Sequence, residues 1–248
     1  MTKTMLFASR NTKEILRDMT SLIFGIAFPI VLLILLSAIN KSIPEGAGPD
    51  LFMIEKLAPG ISVFGLSFLS LFSAMLISKD RTTSFVLRLF TSPLKPSHFI
   101  LGYTLPLIPM ALVQSAVCYL AALCFGLAVS VNLLFAIVVN IPIALVFIAL
   151  GLLFGTLLSD KAVGGVCGAL LTNLSAWFSN IWFDTAMVGG VFKTAADILP
   201  FSHAVNAGRA AVSGNYAAVF PDLWWVIGYA IVLLIVAIIV FSAKLRKN

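Results

Sequence analysis

The sequence predicts an all-α polytopic membrane protein with six transmembrane helices, and three observations carry that prediction. Six long apolar stretches lie between Ser21 and Phe241, and their cores contain no Asp, Glu, Lys or Arg. Hydrophobic residues make up 60% of the chain and charged residues 10%, with a mean hydropathy of +1.08. A soluble domain typically carries roughly 25% charged residues. Finally, the basic residues alternate in density from one connecting segment to the next, as topology signals do. The 248 residues read as one membrane domain: an N-terminal helix over 1–20, six spans over 21–243, and a tail at 244–248.

The N-terminal segment is too long and too mixed in charge for the basic region of a signal peptide. As a helix it places Met5, Ala8, Ile15, Leu16 and Met19 on one side, and Arg10, Lys13 and Arg17 on the other. Such an amphipathic helix lies in the membrane interface with its basic edge towards anionic lipid; the alternative is a frayed tail. The spans are placed at about 21–39, 57–78, 99–125, 133–157, 163–183 and 223–243. Pro29, Pro106, Pro109 and Pro142 mark kinks whose freed carbonyls neighbouring helices re-satisfy. Gly151/Gly155 and Gly164/Gly168 are pairs four residues apart, which let helix backbones approach closely. Packing inside the bundle and packing between subunits both fit that spacing. The segment Asn40–Lys56 is a turn-rich loop, with Pro44, Gly46, Gly48 and Pro49. The segment Asp184–Asp222 is too apolar for a solvated loop, and short helices dipping into the outer leaflet account for it.

Orientation follows from the basic residues. Twelve of the sixteen Lys and Arg lie on one side: Lys3, Arg10, Lys13, Arg17, Lys79, Arg81, Arg88, Lys95, Lys161, Lys244, Arg246 and Lys247. Under the positive-inside rule both termini are cytosolic, as an even number of spans requires. The net charge of +6 is spread over membrane-flanking segments, which argues for lipid headgroups and against nucleic acid. Cys118, Cys124 and Cys167 fall inside apolar spans and form no metal-ligand spacing with His. No paired Ser/His or carboxylate cluster marks an intramembrane enzyme, and His98 and His203 have no neighbouring ligand set. A transporter driven by an ion gradient keeps ionisable groups at membrane depth; their absence here places the energy source outside the spans. A purely structural scaffold also fits uncharged spans.

The cytosolic stretch between spans two and three is chemically unusual. Thr83 or Ser84 suits the N-cap of a short helix, and Ser92-Pro93 ends it. Phe85, Val86, Leu89 and Phe90 give that helix an apolar side that needs a covering surface. This segment resembles the coupling region of type 2 ABC-transporter permeases. In those, a charged stretch and a Gly-Thr pair precede Leu-x-x-x-[Ser/Thr]-Pro-Leu and a later Gly. The matching residues are Arg81-Thr82-Thr83, Leu87 through Leu94, and Gly102. Thr82 stands where Gly is usual, and Tyr103 where Lys often follows the later Gly. A second match is Leu199-Pro200 through Arg209 to Gly214, before span six.

The resemblance implies a permease that forms a homodimer or heterodimer and recruits two ATP-binding-cassette ATPase subunits. It implies no cofactor on this chain, since the phosphate loop is absent and ATP and magnesium would belong to the partner. It implies an exporter in the cytoplasmic (inner) membrane, with a re-entrant outer segment between spans five and six. Thr82, Thr83, Phe85, Leu87, Arg88, Leu89, Ser92 and Pro93 are the expected coupling residues. Pro200 and Arg209 are expected at an outer gate, although ion pairing with Asp184 or Asp197 is an alternative role for Arg209. Spans two and five are expected to line the substrate path. There Phe64, Phe68 and Phe72 fall on one helical face, joined by Asn173, Trp177 and Phe178. Aromatic side chains with sparse amides suit a drug, an antimicrobial peptide or a lipid-linked molecule. Packing against neighbours remains an alternative for the Phe face, and helix–helix hydrogen bonding for Asn173.

Overall fold

A computed structural model of the protein describes residues 3–43, 50–82 and 95–245. Every regular element among these residues is helical. In chain order they are α1 (Lys3–Arg17), α2 (Met19–Ser42), a 3-10 turn (Asp50–Phe52), α3 (Ile54–Thr82), α4 (Pro96–Thr104), α5 (Leu107–Leu123) and α6 (Asn132–Leu157). They continue with α7 (Asp160–Val163), a π-helical stretch (Gly164–Leu171), α8 (Thr172–Trp177), α9 (Thr185–Val188), α10 (Gly190–Ile198), α11 (Pro200–Ser213) and α12 (Tyr216–Leu245).

Among the described residues, five stretches are long and apolar enough to cross a membrane: Leu22–Ser42, Ile54–Thr82, Pro96–Leu123, Asn132–Leu157 and Tyr216–Lys244. They correspond to five of the six expected spans. The third is jointed where proline was expected to act. α4 ends at Thr104, Pro106 has no N–H to continue the ladder, and α5 resumes at Leu107. The expected span at 163–183 is built differently. Its helix runs from Asp160 only to Trp177, through the π-helical stretch that carries Gly164, Gly165 and Gly168. Glycines weaken the ordinary helical preference, and the Thr172 hydroxyl caps the widened turn by donating to the Cys167 carbonyl at 3.1 Å. Between Asp184 and Tyr216 lie the short helices α9, α10 and α11.

α3 is the central post. Of its most apolar window, 78% is buried inside the protein, against 22% for α2 and α12. It packs against α2, α5, α6 and α11. Ser67, Ser70 and Ser73 on α3 are buried, and their hydroxyls bond to backbone carbonyls, Ser73 reaching Ile148 on α6 at 3.1 Å. The small side chains let α6 come close. A Cβ on Gly151 would strike Ser73 and the Ser70 backbone, and one on Gly155 would strike Ala74 and Ile77. The Gly151/Gly155 pair therefore serves packing inside the bundle. A Cβ on Gly164 or Gly165 would meet nothing within 4 Å, and one on Gly168 would lie nearest Leu71 at 3.3 Å, so Gly164 and Gly165 form a small-residue surface uncovered by the described residues.

The core also contains polar groups. The Asn140 amide donates to the Ser62 and Ser115 hydroxyls, each at 2.9 Å, tying α6 to α3 and α5. Outward-facing Ile23, Phe24, Val31, Val138, Val232, Ile235 and Ile239 are exposed and form the surface that an apolar solvent would cover. Trp224 and Trp225 sit near the start of α12, where amphipathic rings suit a membrane–water boundary.

Candidate functional site

The residues of greatest interest gather at the basic end of the bundle, where α3 runs into residues 83–94. α1 docks on this end through side chains chosen for size. Phe7 sits edge-on to Phe99 and Tyr103, with ring centroids 5.6 and 4.9 Å apart. A Cβ on Gly102 would overlap the Phe7 ring, so only glycine admits this contact. The buried Asn11 side chain then donates to the Gly102 carbonyl at 3.0 Å.

One turn along α1, Arg10 reaches the end of α3. Its two terminal nitrogens meet the two carboxylate oxygens of Asp80 at 2.5 and 2.7 Å. Asp80 is 2% exposed and also accepts from the Tyr103 hydroxyl at 2.8 Å. Arg10 pairs further with Glu14 at 2.8 Å, and Glu14 with Lys79 at 3.2 Å. Burial works against the charge on Arg10, but the Asp80 hydrogen bond and the Asp80 and Glu14 carboxylates outweigh it and raise its pKa. The opposite side of α3 is held as well. Arg81 donates to the Gly155 and Leu158 carbonyls at 2.8 and 3.2 Å, and Ser78 to Asp160 at 2.9 Å. The last turns of α3 are thus fixed to α1, α4, α6 and α7 at once. Charge-assisted bonds of this kind are short and directional.

Of the expected coupling residues, Thr82 is the last residue of α3, and its hydroxyl bonds to the Lys79 carbonyl at 2.9 Å. Thr83, Phe85, Leu87, Arg88, Leu89, Ser92 and Pro93 lie outside the described residues.

The expected path residues fall into two groups. Phe64 and Phe68 on α3 pack edge-on at 5.8 Å, and the cluster includes Phe28 and Trp182. Phe72 is buried against Gly25 of α2. Within the single chain this face is therefore occupied by neighbours, apart from half-buried Phe68. Asn173 and Trp177 are exposed on α8. The Asn173 amide bonds back to the Ala169 carbonyl at 2.8 Å, which satisfies it without a neighbouring helix. Phe178 stacks on Phe192 of α10 at 4.6 Å. The structure does not bring the α3 aromatics and the Asn173–Trp177 face into one contact cluster.

At the other end, Pro200 is buried as the first residue of α11. Arg209, also on α11, donates to the Lys56 carbonyl at 3.1 Å and the Asn180 carbonyl at 2.9 Å. Burial lowers its pKa to about 10, with Asp184 acting in the opposite direction. Asn180 has a positive φ of 59°, which asparagine tolerates, and its side chain accepts from the Thr185 amide at 2.9 Å. Arg209 thus links three backbone segments. His203 lies between the Asp222 carboxylate at 2.5 Å and the Asp197 carbonyl at 2.9 Å, while Asp197 itself pairs with Lys193.

A family model described as ABC-2 type transporter matches residues 2–212. The chain belongs to the ABC-2 type transporter family. It is also similar to a protein named ABC transporter G family member 20 from Dictyostelium discoideum, at 25% identity over 217 residues. That match covers 81% of this chain and 27% of the relative, so the chain spans about a quarter of that protein's length.

As an ABC-2 permease, the chain uses residues that its sequence motifs did not mark. Arg10, Asn11, Glu14 and Asp80 were not expected at the site. The signals available were the i,i+4 spacing of Arg10 and Glu14 and an acidic residue lodged between Lys79 and Arg81. Tyr103, where Lys often follows in the family pattern, donates to Asp80. Gly102 keeps the place the motif gives it because α1 packs there.

Proposed function

We propose that the chain forms the substrate pathway of an ATP-driven exporter for hydrophobic or amphiphilic molecules such as drugs, antimicrobial peptides or lipid-linked compounds. In this reading the helix over Asp160–Trp177 completes a sixth span, α1 lies at the lipid interface, and the basic end and both termini face the cytosol of an inner-membrane protein. α9–α11 form a re-entrant outer segment. A second permease chain, identical or related, covers the uncharged face carrying Gly164, Gly165, Ala169, Asn173 and Trp177. Small and polar residues suit helix–helix contact better than lipid. The path then lies between the α3 aromatics and the Asn173–Trp177 face of this assembly, with Pro200 and Arg209 at its outer gate.

Two ATP-binding-cassette ATPases dock at residues 82–94, where they hold the ATP and magnesium. The observation that carries this reading is the bracing of α3 immediately before that segment by Arg10, Tyr103, Asp160 and the Gly155 and Leu158 carbonyls. A push delivered at Thr82 through this bracing would move α1, α4 and α6 together. Leu87→Asp and Leu89→Asp test it. Both variants are expected to reach the membrane and keep the ATPase bound while ATP-dependent transport falls to background. Normal transport by both would overturn the coupling role.

A further inference from the structure

A cavity of about 1040 Å³ lies between α1 and the bundle, at the upper end of the volumes that hold small organic ligands. Its lining changes character with depth. Lys13, Arg17, Asp18 and Asp160 line it and are exposed, whereas Phe72, Leu76 and Met110 line it and are buried. Lys79, also in the lining, stands seven residues from Phe72 along α3, so the inner wall lies about 10 Å from the charged level. That wall is firm. A Cβ on Gly25 of α2 would come within 2.7 Å of the Phe72 ring and 3.3 Å of the Met110 methyl.

The charges at the rim are not equivalent. Arg10 is committed to Asp80 and Glu14, and Lys79 to Glu14. Lys13 and Arg17, one helical turn apart on α1, enter no ion pair among the described residues. A cavity with an apolar inner wall and two cations that enter no ion pair among the described residues matches a ligand with a hydrocarbon body and an anionic head. Asp18 and Asp160 on the same rim disfavour a polyanion.

We propose that this cavity binds one phosphate-headed amphiphile. Lys13 and Arg17 hold the phosphate, and a hydrocarbon chain lies against Phe72, Leu76 and Met110. A soluble phosphate ester would leave the chamber wall wet, and a headless hydrocarbon would leave the cations unaddressed. The site belongs to the single chain and does not depend on the transport reading.

The test uses the purified, delipidated full chain in detergent and native mass spectrometry. The probes are phosphatidylglycerol, the matching diacylglycerol and glycerol 3-phosphate. One phosphatidylglycerol per chain should bind saturably. Diacylglycerol should bind at least tenfold more weakly, and glycerol 3-phosphate should neither bind nor compete. Lys13→Glu with Arg17→Glu should weaken phosphatidylglycerol binding by roughly tenfold or more. Ser9→Trp, at an exposed position in the lining, should block it sterically with unchanged melting temperature. Unaltered binding in both variants would overturn the proposal. So would equal binding of the headless lipid, competition by glycerol 3-phosphate, or unsaturable uptake of many lipids.

Discussion

Arg10 and Asp80, seventy residues apart in the chain, form a two-pronged ion pair that fastens the N-terminal helix to the end of the central one. Asp80 is almost wholly buried, and Arg10 and Tyr103 supply bonds that water would otherwise make. Arg10→Ala removes both guanidinium bonds from this buried carboxylate. The expected loss is roughly 1–3 kcal/mol of stability, the cost of a buried acceptor losing its partner. Paired replacement by Arg10→Met and Asp80→Leu should be milder, because neither charge is then stranded. Thermal unfolding of the three proteins in detergent checks the order, and a double variant less stable than Arg10→Ala would contradict it.

Gly102 and Phe7 define a second, purely steric requirement. Gly102→Val pushes a side chain into the Phe7 ring. α1 is therefore expected to lift from α4, with faster hydrogen exchange over residues 4–17. Phe7→Ala combined with Gly102→Val should recover part of the protection. Unchanged exchange in the single variant would refute the contact.

Gly155 and Gly165 should respond in opposite ways. Gly155→Val drives into the Ala74 backbone and is expected to cost about 3 kcal/mol or more, since neither helix can yield cheaply. Gly165→Ala meets open space within the chain and should not lower the isolated subunit's melting temperature, since alanine favours a helix over glycine. If this face meets a second subunit, Gly165→Trp should reduce dimer yield on size-exclusion chromatography. Equal tolerance of Gly155→Val and Gly165→Ala would contradict the packing described for α3 and α6.

Arg209 makes its two backbone contacts through a planar fork that lysine lacks. Arg209→Lys keeps the charge and is expected to lose one of the carbonyls, loosening the segment that follows Asn180. The expected cost is roughly 1 kcal/mol, read as faster amide exchange over residues 181–189. Protection equal to that of the parent protein would show that the fork carries no structural weight.

Much of this architecture is legible in hydropathy, because the apolar solvent imposes length and composition on each span. The short helices between Asp184 and Asp222 announced themselves through an apolar content that no water-exposed loop sustains. The helix over Asp160–Trp177 was less legible, since three glycines in a row of small residues change the helix type without changing its hydropathy. The Arg10–Asp80–Tyr103 cluster was not legible because it joins residues distant in the chain, and ion pairs between helices leave no periodic mark on either one. Asn173 shows the converse. A polar residue in an apolar stretch suggested a partner on another helix, and within the chain its amide donates to the Ala169 carbonyl of its own helical run.

In the proposed function, energy reaches these spans from a separate ATPase acting at the basic end. Transport of a fluorescent amphiphile in proteoliposomes tests it most directly, with the chain reconstituted with and without its ATP-binding-cassette partner. Transport is expected to need both the partner and ATP, and to continue when ionophores collapse proton and sodium gradients. Gradient-driven transport by the chain alone would contradict the account.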